Sequence, residues 1–315
     1  MANLKRLLKV LCAIGLIVLL ARMVDWESLP HQFEGVSAPF AIAGFIGLSI
    51  QFLTSTWKWR HAMRIHLLDG EFWPLARIYG TGFFMNNFLP SAIGGDAYRV
   101  ISTMPTNGAR SRAISAVLVE RIVGFAALLA LGCLGALFLL ERSALARVFL
   151  IINLAGAVTG GIVIGAIAAG WFRGLLAKIE QTKVGQAIAQ NATLLRAAGP
   201  KWLALIASSF MFQVIAIAII YLLFRSLHVE VPLASCALIA AVSGLASVLP
   251  ISINGIGVIE GSFAGTAVAV GVDYEVALAV ALMIRILVLP ATVLFGAMYV
   301  FSREQTPAAK GVSAP

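Results

Sequence analysis

Charge is scarce in this sequence. Asp, Glu, Lys and Arg make up 12% of its 315 residues, about half the share of a soluble domain. The longest fairly polar stretch, about 173–201, is too short for a soluble domain. Cysteine is also rare. Cys12, Cys133 and Cys236 are scattered through apolar segments. Their spacing fits neither a metal site nor a disulfide framework, so they read as small buried hydrophobes. No HExxH, serine elbow, Walker loop, DxD or Cys/His cluster occurs. Nothing therefore indicates an enzyme, and no cofactor or metal is expected. The alternation of a transmembrane β-barrel is missing too.

What the chain has is apolar length. It is 60% hydrophobic with a mean hydropathy of +0.95. Runs long enough to cross about 30 Å of hydrocarbon recur along it: roughly 7–24, 37–57, 73–91, 113–140, 147–172, 202–225, 231–250, 251–271 and 276–301. This is an all-α polytopic membrane protein. The first run is longer than a signal-peptide core and no small-x-small cleavage site follows it, so it reads as a retained span. The net charge of +9 reads as positive-inside topology and attraction of anionic lipid to basic cytoplasmic loops, not as nucleic-acid binding.

Lys5, Arg6 and Lys9 put the N-terminus in the cytoplasm. If 73–91 crossed fully, the later basic loops would lie outside. A re-entrant hairpin over 73–98 avoids this, and a second over 231–271 completes the scheme. About six full spans result, with most of the 23 Lys and Arg on the cytoplasmic side, both termini included. WKWRHAMRIH reads as a cytoplasmic loop, and Trp57, Trp59 and Trp73 as interfacial aromatics. The alternative gives the second pair two tilted full spans and leaves the C-terminus outside.

Two breakers mark the hairpin tips. Residues 89–95 read LPSAIGG and 249–255 read LPISING. Their flanks match as well: VLVERIVGFAALLALG (117–132) aligns with ALMIRILVLPATVLFG (281–296). Each half reads as span, broken hairpin, then span with a buried arginine. Half one covers about 37–140 and half two about 202–301. A basic amphipathic linker over 173–201 joins them, and 303–315 is a cytoplasmic tail. The halves start on opposite sides, which makes an inverted repeat within a single membrane domain, 1–302. Secondary transporters place substrate between such discontinuous helices, because irregular backbone at membrane depth must be buried or line a wet cavity.

Ionisable residues within spans are costly and usually functional. Here they are Glu120, Arg121, Glu260 and Arg285, with Asp96 and Arg99 beside the first breaker. Glu120 and Arg121 are adjacent and point about 100° apart, so one faces a cavity and the other pairs across helices. Cross-pairing is expected, Arg121 or Arg285 with Glu260 or Asp96 around a central cavity, where a spare guanidinium suits phosphate. Asn86 and Asn87 are placed to satisfy backbone groups freed at the first tip.

NNFLPSAIGGDAYRV and SVLPISINGIGVIEGSF, the second followed by an arginine-bearing span, resemble the two signatures of the lysylphosphatidylglycerol synthase transmembrane-region family. The resemblance covers about 5–302. It implies a lipid-flippase-like membrane domain. It carries over Asn87, Pro90, Gly94, Gly95, Asp96 and Arg99 from the first signature, Pro250, Gly255, Gly257 and Glu260 from the second, and Arg285 after it. Asn254 stands where the first half has Gly94. The chain ends soon after its last apolar run, without the soluble aminoacyl-transfer domain of some members. Translocation of an anionic or glycosylated lipid across an inner membrane is the expectation, driven by a gradient, an ion or the lipid's own potential. The alternative is an accessory or enzyme subunit for hopanoid, glycolipid or polyprenyl-phosphate synthesis, with a lipid-synthesis enzyme as partner.

Overall fold

A computed structural model of the chain describes residues 35–86, 93–104, 110–171, 181–249 and 255–301. Ten helices and no strand occur among them. They are α1 (Ala38–Ile65), α2 (Phe72–Asn86), α3 (Ile93–Ser102), α4 (Arg110–Phe138), α5 (Ala144–Ala168), α6 (Lys183–Ala197), α7 (Lys201–Ser226), α8 (Leu233–Ala246), α9 (Val258–Ala269) and α10 (Tyr274–Phe301). Helices α1, α4, α5, α7 and α10 are long and apolar enough to cross a membrane. The sixth expected span, 7–24, lies outside the described residues, as does the tail.

Helices α2, α3, α8 and α9 have 15, 10, 14 and 12 residues. At 1.5 Å per residue they reach only about 15–22 Å, short of about 30 Å of hydrocarbon. They pair as α2 with α3 and α8 with α9, two broken hairpins. The order long, short, short, long runs through α1–α4 and again through α7–α10. Contacts repeat accordingly: α2 packs on α10 as α8 packs on α4, and α3 on α4 as α9 on α10.

The equivalent helices α1 and α7 run antiparallel along each other. The Ser37 N–H donates to the Ser226 carbonyl (2.8 Å), joining the start of α1 to the end of α7. Gly44 and Gly47 receive the side chains of Leu223 and Ile219. The Lys201 ammonium donates to the Arg64 carbonyl (3.2 Å), joining the opposite ends. One half is thus the other turned over, as the repeated breakers predict. Small residues let backbones approach at the remaining seams: Gly132 and Gly135 of α4 sit on Ala241, Ala234 and Ala237 of α8, and Gly80 and Gly296 sit on Phe295 and Phe84 between α2 and α10.

One end of the bundle carries Arg60, Arg64, Arg112 and Lys201; the other carries Glu230, Asp273 and Glu275. The first hairpin opens toward the basic end and the second toward the acidic end. Single cysteines replacing Asp69 and Glu230, with the native three removed, should therefore label with an impermeant thiol reagent from opposite faces of the membrane. Labelling from the same face would reject the inversion.

Two readings from the sequence change here. WKWRHAMRIH is not a loop: α1 continues through it to Ile65, burying Lys58 and Trp59. Hydropathy ended the span at residue 57 because it cannot see that Lys58 has a buried partner. Trp57 and Trp73 are exposed as interfacial aromatics would be, but Trp59 is fully buried. Of the linker, α6 is a 15-residue helix capped by Thr182, whose hydroxyl accepts from the Gly185 N–H (3.1 Å).

Candidate functional site

Five charges form one chain through the first half. Lys58 of α1 meets Oε1 of Glu120 (3.1 Å). Arg99 of α3 binds Oε2 of Glu120 through Nη2. Through Nη1, Arg99 also binds Oδ1 of Asp96 (3.0 Å). Arg121 of α4 grips Asp96 with two parallel bonds, Nε to Oδ2 (3.0 Å) and Nη2 to Oδ1 (2.9 Å). Arg99 lies over the rings of Trp59 (4.4 Å) and Tyr79 (4.6 Å), and Lys58 over Phe212 (4.8 Å). Charge alternates along this chain and sums to one excess positive.

The chain changes character along its length. Glu120 is 1% exposed, whereas the Arg121 side chain is 35% exposed. The 100° turn between adjacent residues of α4 separates them as the sequence predicts. Glu120 faces into protein, and Arg121 faces open space.

Local backbone explains the positions. The first breaker starts α3 where the arms of the hairpin touch. A Cβ at Gly95 would collide with the Gly82 carbonyl oxygen, and one at Gly82 would lie 2.9 Å from the Gly95 oxygen. The Asn86 side chain accepts from the Gly95 N–H (2.6 Å), satisfying a donor at the start of α3. Asp96 then falls in the first turn, where the helix dipole favours a carboxylate.

The second half repeats this in reduced form. Gly255 and Gly257 hold φ of +67° and +81°, left-handed values that cost glycine little. Glu260 accepts from the Gly257 N–H (2.7 Å) and binds Arg285. Asp96 to Arg121 and Glu260 to Arg285 are both 25 residues apart. The equivalent acids and arginines therefore pair within their own halves. The arginines do pair with the two expected acids, but the cross-pairing around one central cavity is corrected: each arginine meets the acid in the first turn of its own hairpin's second helix.

Two cavities adjoin the chain. The larger, about 640 Å³, is walled by the first hairpin, α1 and α10, and includes Asp96, Arg99 and Arg121. The smaller, about 340 Å³, is walled by the second hairpin, α4 and α7, and includes Lys58, Gln213, Ser243 and Ser247. Arg121, Gln51 and Tyr79 line both. Glu120, Glu260, Arg285, Gly94, Gly95, Gly255 and Gly257 line neither; their geometry is that of shaping residues. Asn87, Pro90, Pro250 and Asn254 lie outside the described residues. Asn86 caps the first tip as expected.

Sequence reasoning missed Lys58, Gln51, Gln213 and the aromatic bed under Arg99. A signal existed for the glutamines: each is an isolated amide in an apolar run, and the two sit at matching depths of the equivalent helices α1 and α7.

The family model described as Lysylphosphatidylglycerol synthase TM region matches residues 6–296. No curated protein and no solved structure matches the chain.

Proposed function

The chain belongs to the lysylphosphatidylglycerol synthase TM-region family, and on that premise we propose that it moves an anionic or glycosylated lipid between the leaflets of an inner membrane. The observation that carries the reading is Arg121, a partly exposed guanidinium lining both cavities. A guanidinium binds phosphate oxygens in parallel pairs. Held where two cavities meet, it keeps contact with a phosphate that passes from one to the other.

The rest of the larger cavity suits a lipid's tails. Its lining from α1 and α10 includes Phe45, Leu53 and Leu294, which are exposed. Pro290 of α10 lines the same cavity. Headgroup inside and chains in the bilayer is the arrangement that this supports. The positive-inside rule favours a cytoplasmic side for the basic end of the bundle, and with it for the end of α10, with the smaller cavity toward the far leaflet. Anionic lipid gathers at the basic loops.

The test is leaflet exchange of labelled native lipids in proteoliposomes. Wild-type protein should exchange a lipid that Arg121→Ala does not. A hydrogen bond to a charged group contributes about 1.5–3 kcal/mol, so exchange should fall about ten- to a hundredfold. Without Arg121, Lys58, Glu120, Arg99 and Asp96 still balance, so this variant should fold. Unchanged exchange by folded Arg121→Ala would refute the role of Arg121. A product formed in detergent, where no leaflets exist, would favour a lipid-modifying enzyme.

A further inference from the structure

We infer that Gln51 and Tyr79 are specificity-determining residues, which hold a hydrogen-bond donor standing beside the phosphate of the lipid headgroup. This rests on the translocation reading and deepens it.

The residues that line both cavities are Leu48, Gln51, Tyr79, Arg121 and Phe212. Three of the five are polar, and they come from three helices, α1, α2 and α4. Each keeps a polar group without a partner. Asp96 takes the Nε and Nη2 of Arg121, and Nη1 has no hydrogen-bond partner among the described residues. The Gln51 amide and the Tyr79 hydroxyl have none there either. All three groups are accessible, unlike the buried Nε of Arg99. Nearby polar side chains differ. Ser49, Thr54, Ser55 and Thr56 of α1 donate their hydroxyl protons to carbonyls of their own helix (2.8–3.3 Å). Gln213, the matching glutamine of α7, donates to the Gly124 carbonyl (3.1 Å). Gln51 thus stands at the middle of a membrane-spanning helix with an amide that the protein does not pair. Such an amide is costly in an apolar setting, and a bound headgroup offsets that cost.

The three groups divide a headgroup between them. Arg121 supplies only donors, which suit phosphate oxygens. Gln51 adds a carbonyl oxygen and Tyr79 a hydroxyl that accepts as well as donates. Those acceptors call for a donor on the ligand, close to its phosphate. A hydroxyl or an ammonium has that chemistry, and a plain alkyl phosphodiester does not.

Acyl-labelled phosphatidylglycerol, phosphatidylethanolamine and phosphatidylmethanol would be followed in phosphatidylcholine proteoliposomes. On the same phosphodiester the first offers hydroxyls, the second an ammonium and the third neither. Gln51→Leu and Tyr79→Phe should each slow one or both of the first two about three- to tenfold, the scale of one hydrogen bond. Phosphatidylmethanol should slow by less than about twofold. The lipid that slows identifies the donor as hydroxyl or ammonium. Neither variant should lower the melting temperature in detergent. Gln51→Leu removes an amide without a partner, and Tyr79→Phe keeps the ring against Arg99. Equal slowing of all three lipids would overturn the inference, and a fall in melting temperature would show a structural role in its place. Exchange that ignores both variants would keep translocation and remove this site. Binding in detergent gives a readout without leaflets. Glycerophosphoglycerol or glycerophosphoethanolamine should raise the wild-type melting temperature more than dimethyl phosphate does, and both variants should lose the difference. That result with no exchange of any lipid would sink translocation and keep the site.

Discussion

Replacing Glu120 by alanine should destabilise the folded chain by about 3–5 kcal/mol, the cost of breaking a buried ion pair from one side. Two cations depend on this carboxylate. Lys58 is 6% exposed and Arg99 2%, so water cannot take the place of Glu120 for either. The two come from different helices, α1 and α3, and the loss therefore reaches both sides of the larger cavity. Glu120→Gln keeps the shape and one acceptor, and should fall between alanine and wild type. Asp96→Asn should cost less than Glu120→Ala, because it keeps one acceptor oxygen, Arg99 retains Glu120, and its other partner, Arg121, is partly exposed. Thermal melting in detergent reads all three. Equal melting of Glu120→Ala and wild type would show that the cations are hydrated and that the chain of charges is not a structural element.

Gly95→Ala should have an effect of comparable size for a different reason. A methyl group there meets the Gly82 carbonyl oxygen and the Asn86 side chain. Overpacking costs about 1–3 kcal/mol even where side chains can yield. Here the obstacle is backbone, so the hairpin arms must part. Parting them also breaks the bond from Gly95 to Asn86, and a lost cap adds about 1 kcal/mol. A total near 3 kcal/mol or more is expected, seen as aggregation during purification or a large fall in melting temperature. Gly261→Ala is the control, since a Cβ there meets nothing within 4 Å. Equal stability of the two variants would mean that the hairpin does not depend on this crossing.

The repeat was legible because its marks are conspicuous. Proline, glycine and arginine stand out in an apolar sequence, and two sets at matched spacing imply matched structures. The lengths of α2, α3, α8 and α9 then follow from where those marks fall. The pairing of charges was only half legible. The 25-residue spacing from Asp96 to Arg121 and from Glu260 to Arg285 was visible, but spacing alone does not choose between partners in the same half and the other half. That choice is made by hairpin packing, which brings α3 onto α4 and α9 onto α10. Lys58 was hidden for a related reason. A lysine between two tryptophans at the end of an apolar run has the composition of a membrane interface. Only the carboxylate on α4, 62 positions later, makes it an interior residue.

That separation has a meaning in time. A ribosome adds about 5–20 residues per second, so Lys58 waits roughly 3–12 s for Glu120 to be made. A lone ammonium in hydrocarbon is costly, but Lys58 lies only two turns from the end of α1, near enough for its side chain to reach the surface. Only the packing of α4 against α1 brings Glu120 to Lys58 and buries the pair. The charge that one helix carries into the interior thus stays uncompensated until a residue of another, synthesised seconds afterward, reaches it.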